Sequence, residues 1–79
     1  MNIKTTEQLG MVIRSRRKQV KITQKELAMI CGTGLRFIND LEKGKATCQI
    51  GKTLDVLQSL GLAVETRLLG GDVTGGDRR

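Results

Sequence analysis

Seventy-nine residues with 38% hydrophobic content, one aromatic (Phe37) and no Trp, Tyr or Pro have room for one small domain with an aliphatic core. No apolar run approaches the roughly 20 residues of a membrane-spanning helix, and the start, MNIKTTEQLG, lacks the apolar stretch of a secretion signal, so a soluble, cytoplasmic protein is expected. The absence of His, of a glycine-rich phosphate loop and of a nucleophile beside a base speaks against an enzyme. Cys31 and Cys48 make no metal-ligand spacing, so neither metal nor cofactor is expected. Both read as reduced thiols, Cys31 in the core and Cys48 at a helix start, a position that can lower a thiol pKa.

The charge is uneven. The net charge is +6, and residues 1–25 carry seven basic residues against one acid. Arg14, Arg16, Arg17, Lys18, Lys21 and Lys25 crowd the end of one segment and the start of the next. Such a patch suits a polyanion, because each neutralised phosphate releases condensed counterions. A solvated cationic helix face would look the same, so charge alone leaves both readings open.

Taken in chain order, a first helix is expected after Thr5, where Thr5, Thr6, Glu7 and Gln8 form a capping box. Leu9, Val12, Ile13 and Val20 mark its apolar stripe to about Gln19. A second capping box, Thr23, Gln24, Lys25 and Glu26, starts a helix that buries Leu27, Ile30 and Cys31 and ends at Gly32. A third short helix spans about 34–43 and stops at Gly44. The fourth starts near Thr47, shows Ile50, Leu54, Leu57 and Leu60 at helical spacing, and ends at Gly61. Beyond it the period changes to two, with Leu62, Val64, Thr66 and Leu68 on one side, as in a strand over 62–69. The last segment, 70–79, holds four of the ten glycines and nothing to bury, and reads as a disordered tail.

Two short helices joined around Gly32 behind a basic helix are arranged as a helix-turn-helix, whose second helix enters the DNA major groove. At about 100° per residue, Phe37, Ile38 and Leu41 fall on one side of the third helix, with Arg36, Asn39 and Lys43 opposite. Leu35 and Asp40 flank that outer face. A structural amphipathic helix would divide in the same way; its place after the turn is what points to DNA.

The run QKELAMICGTGLRFINDLEKGK (24–45) resembles the helix-turn-helix of phage-repressor and Cro-like, or XRE-family, regulators. It matches at Gln24, at Glu26, Leu27 and Ala28, at Gly32, at Ile38, at Leu41 and Glu42, and at Gly44 and Lys45. The likeness covers about residues 9–61. It implies an all-α, lambda-repressor-like helix-turn-helix bundle of about four helices, with a short C-terminal β-strand for dimer pairing. The domain would occupy 1–61, the dimerisation strand (Leu62, Val64, Thr66, Leu68) 62–69, and the tail 70–79. It also implies that Gln24 fixes the register of the domain by bonding a phosphate, and that Arg17 pairs with Glu42 as a structural ion pair.

The family commonly has Ser or Thr capping the reading helix and a polar residue after it; here these are Gly34 and Leu35. Thr33 is then expected to cap, and Leu35 to meet only a thymine methyl or a sugar. Arg36 becomes the main candidate for base readout, since Arg on guanine is the commonest specific contact. Asn39 and Asp40 are secondary candidates, and Gln24, Lys25, Thr33, Gly34, Leu35, Lys43 and Lys45 complete the expected DNA-binding set.

The longer stretch from Leu35 through the strand-like segment is similar to HipB-like antitoxins, which repress their own operon and bind a HipA-like kinase toxin. This resemblance implies a homodimer on a near-palindromic operator and a HipA-like serine/threonine kinase partner. The alternative is a stand-alone phage-type or host operator-binding regulator without a toxin. An RNA-binding module is disfavoured, because single-stranded RNA recognition usually uses stacking aromatics.

Overall fold

Both expected capping boxes form. The Thr5 hydroxyl accepts from the Gln8 amide at 3.0 Å, and that of Thr23 accepts from the Glu26 amide at 3.0 Å, while the Gln8 and Glu26 side chains return the bond to the cap amides. In a computed structural model the chain is described over residues 2–46 and 49–66. Over these it makes four helices: α1 (Thr6–Gln19), α2 (Gln24–Cys31), α3 (Leu35–Lys43) and α4 (Ile50–Ser59). Each gives one fully buried aliphatic side chain, Ile13, Leu27, Ile38 and Val56, to a core completed by Ala28, Leu41, Leu57 and Leu60. Helix α3 packs on α1 and α2, and α2 also packs on α4.

Polar ties lock these packings. The Thr6 hydroxyl donates to the Gly44 carbonyl at 2.6 Å, joining the start of α1 to the end of α3. Arg16 Nε donates to the Leu60 carbonyl at 2.8 Å, joining the last turn of α1 to the end of α4. Cys31 Sγ lies 3.4 Å from Ser59 Oγ, half-buried between α2 and α4.

Several sequence expectations are corrected. Burial on α2 is centred on Leu27 and Ala28, with Gln24 and Cys31 beside them, so Ile30 falls outside that face and is exposed. On α4 the buried set is Thr53, Val56 and Leu57, followed by the C-cap Leu60, which leaves Ile50 and Leu54 exposed. Val20 lies past the end of α1 and is exposed. Thr47 and Cys48, the expected start of the fourth helix, lie outside the described residues.

The strand over 62–69 is not formed in its described part, 62–66, which has no regular structure. Instead the Leu62 amide donates to the Leu57 carbonyl at 2.8 Å, closing the end of α4, and its side chain packs on the core. A strand also needs a second backbone to satisfy its amides and carbonyls, and none of the described residues supplies one. Leu68 and the segment 70–79 lie outside the described residues.

Candidate nucleic-acid interface

The turn between α2 and α3 depends on one backbone conformation. Gly32 sits at φ 66°, in the left-handed region that glycine enters without a Cβ penalty. The next amide, Thr33, then donates to the Ala28 carbonyl at 2.9 Å and turns the chain into α3. Gly34 occupies the N-cap of α3, with no side-chain cap. The expected cap from Thr33 is therefore absent: its hydroxyl is buried and makes no hydrogen bond. Helix α3 ends at Gly44, at φ 82°, with the Lys45 amide donating to the Asp40 carbonyl at 3.1 Å.

Beneath α3 the structure brings Arg17 and Glu42 together. Arg17 Nε lies 2.6 Å from Glu42 Oε2, and Nη2 3.0 Å from Oε1, a bidentate pair. Arg17 Nη1 donates to the Ile22 carbonyl at 2.9 Å, and Gln24 Nε2 donates to Glu42 Oε1 at 3.0 Å. The Glu42 side chain is 3% exposed and that of Arg17 11%, so the pair is an internal strut across α1, α2 and α3. Burial pushes the Glu42 carboxyl up. Hydrogen bonds from Arg17 and Gln24, with the charges of Arg17 and Arg14, outweigh it and hold the group below its usual 4.5. The bond to Glu42 likewise raises the Arg17 guanidinium, against burial, so both partners are charged at neutral pH.

Above the strut the outer face of α3 opens on a shallow depression of about 490 Å³ lined by Gln24, Leu35, Arg36, Asn39, Asp40, Lys43 and Lys45. The sequence-derived set is thus gathered on one surface, except that Thr33 and Gly34 lie in the turn and Lys25 lines the adjoining depression with Arg14 and Thr23. Leu35 and Arg36 are exposed, while Asn39 and Asp40 are half-buried. Asp40 lies 3.9 Å from Arg36 Nε and 3.6 Å from Lys45 Nζ, so the one acid of this face sits between two of its cations. Gln24, expected on a phosphate, has both amide atoms bonded within the protein, because Asn39 Nδ2 also donates to its Oε1 at 3.4 Å. Of the expected dimerisation residues, Leu62 is half-buried on the core, and Val64 and Thr66 are exposed.

The sequence placed Arg14 in the basic patch but not in the DNA-binding set. This residue lines the second depression and adds positive potential at Glu42. The signal was available: Arg14 precedes Arg17 by three residues and so shares its face of α1. Among the described residues no group of three or more His, Cys, Asp or Glu is placed to hold a metal, and no helix is long and apolar enough to cross a membrane.

The helix-turn-helix family profile matches residues 13–60. A relative from Sinorhizobium fredii (strain NBRC 101917 / NGR234), described as an uncharacterized HTH-type transcriptional regulator y4mF, is 52% identical over 63 residues, 80% of this chain and 83% of its own. Among solved structures, a HipA-HipB-O2-O3 complex contains a chain with TM-score 0.80 and 26% identity, covering 89% of this chain and 99% of that one. A HipB-O4 20mer complex matches with the same TM-score, identity and coverage. Four helices with a glycine turn before an outward polar α3, held from below by a buried Arg–Glu strut, accord with these likenesses; the chain belongs to the helix-turn-helix family of XRE-type transcriptional regulators.

Proposed function

We propose that this chain is a sequence-specific DNA-binding repressor that acts by binding and not by catalysis, with α3 in the major groove. The observation that carries this reading is the division of α3. Ile38, Leu41 and Glu42 are buried, and Leu35, Arg36 and Lys43 are exposed beside a cationic depression. Arg36 reads a base and Lys43 and Lys45 hold phosphates. Arg36→Ala should weaken the preferred operator by about 1–3 kcal/mol and relax preference at one base pair per half-site. Lys43→Ala should weaken all duplexes alike and reduce the slope of log K against log salt by about one. Titrations against operators substituted at every position, at several salt concentrations, separate the two. Equal loss on every duplex for Arg36→Ala would make it a phosphate clamp.

The active form is a homodimer on a near-palindromic operator, with half-sites about 34 Å apart or a multiple of that. The C-terminal segment, with Val64 and Thr66 exposed, is the proposed pairing element. Because Leu62 packs on the core, the clean truncation removes residues 64–79. The truncated chain should sediment as a monomer or weak dimer; a full dimer at micromolar concentration would place the interface elsewhere.

The likeness to HipB in a HipA-HipB complex supports a HipB-like antitoxin role with a HipA-like kinase as second partner. The second reading is a stand-alone regulator without a toxin; the 52% identical relative, described only as an HTH-type transcriptional regulator, fits either. Affinity capture of the tagged chain from its native host decides between them: co-purification of a HipA-like kinase supports the antitoxin, and capture of the chain without one supports the stand-alone regulator.

A further inference from the structure

The Glu42 carboxylate is an acceptor at both oxygens, and this fixes the direction of every hydrogen bond leading from it to the surface. Its Oε2 takes Arg17 Nε, and its Oε1 takes Arg17 Nη2 and Gln24 Nε2. Gln24 must therefore turn its NH2 inward, since a flipped amide would set its oxygen against a buried carboxylate. Its Oε1 is left facing Asn39, which answers with Nδ2 at 3.4 Å. Asn39 is thus oriented in turn. One N–H is spent on Gln24, which leaves one N–H and the carbonyl Oδ1 of a residue that lines the depression with Leu35 and Lys43.

A single donor beside a single acceptor is a discriminating pattern in the major groove. Adenine offers an acceptor at N7 next to a donor at N6, guanine offers two acceptors, cytosine one donor, and thymine an acceptor and a methyl. Only adenine answers both groups of Asn39. The neighbouring exposed Leu35, with no hydrogen-bonding group, suits a thymine methyl in the same stretch. An isolated surface Asn would present either end, whereas here the orientation is set before DNA arrives, which lowers the cost of binding.

We propose that Asn39 is an adenine-reading residue of this interface and that Gln24 is its positioning residue, relaying the polarity of the buried Glu42. The proposal rests on the DNA-binding reading given above. Its test is selection by the full chain from a duplex library randomised over about 20 base pairs, followed by titration of the selected site substituted at each position. Asn39→Ala should lose on the order of 10- to 100-fold in preference for adenine at one position per half-site. Asn39→Asp keeps the acceptor and loses the donors, and should shift that position from adenine towards cytosine. Gln24→Met, which releases the relay without adding charge, should flatten the same position while thermal melting shows a folded chain. Asn39→Ala weakening all sequences equally, or a dependent position preferring another base, would overturn the adenine assignment. An unchanged preference in Gln24→Met would overturn the relay. A wild-type chain that selects no sequence at all would instead remove the DNA-binding reading beneath both.

Discussion

Glu42→Ala should cost roughly 3–5 kcal/mol, the usual penalty for removing one partner of a buried ion pair. The loss exceeds that of a surface pair, worth at most about 1 kcal/mol, because the Arg17 guanidinium, 11% exposed, would remain charged with no carboxylate. Gln24 Nε2 would lose its acceptor as well. For a domain of this size the fall in Tm is roughly 12–40 °C. Replacing both ends together, Arg17→Met with Glu42→Leu, should recover most of the stability, since a desolvated pair barely exceeds an apolar substitute. It should not restore DNA selectivity, because the strut that sets the polarity of Gln24 is gone. If the double variant is no more stable than Glu42→Ala, the cost lies in packing and not in the unpaired charge.

The same pair gives the stability curve an acid limb. The Glu42 carboxyl is held below its usual 4.5 in the folded state, so its contribution is complete above that value and is lost as the pH falls through the depressed one. Urea midpoints measured downward from neutral pH should drop in this acid window, and the drop should shrink in Glu42→Gln.

The second large effect is expected at Gly10. A Cβ there would sit 2.6 Å from the carbonyl oxygens of both Leu41 and Glu42, where α1 crosses α3. In an ordinary helix interior Gly→Ala gains up to about 1 kcal/mol. Here the obstacle is backbone, which has no rotamer to retreat into, so α1 must step away from α3. Overpacking of this kind costs about 1–3 kcal/mol, and the step also pulls Arg17 from Glu42. Gly10→Ala should therefore lower the chemical-denaturation midpoint and weaken DNA binding together. Gly51→Ala, on α4 with nothing within 4 Å of the added Cβ, is the control and should be neutral or slightly stabilising. A Gly10→Ala chain as stable as the Gly51→Ala chain would mean that the crossing can widen freely.

The helices were legible because caps, glycine stops and apolar spacing agree along this chain. Thr5 and Thr23 start helices, Gly32 and Gly44 stop them, and Ile13, Leu27, Ile38 and Leu41 lie where a 3.6-residue period puts them. The reading failed where periodicity fixes a stripe but not its centre. Ile30 and Leu54 are each adjacent to a buried face and outside it. After Gly61 the alternating pattern needs a backbone partner, and none of the described residues supplies one. The Arg17–Glu42 pairing was legible only through family likeness, because 25 residues separate the two and no local spacing couples them. The bonds from Gln24 to Glu42 and Asn39 are three-dimensional facts that no helical wheel contains.

Arg16 and Arg17 are consecutive, and they leave α1 about 100° apart. Arg17 grips α3 through Glu42, and Arg16 grips the chain's exit from α4 through the Leu60 carbonyl. One stiff helical turn therefore works as a set square between the edge that would meet the groove and the point where the C-terminal segment departs. The angle between them is set within the chain itself, by α1. A twofold pair built on that exit would inherit its stride along the duplex from these two adjacent arginines, so that loosening Arg16 would blur the permitted operator spacing while leaving the reading of each half-site intact.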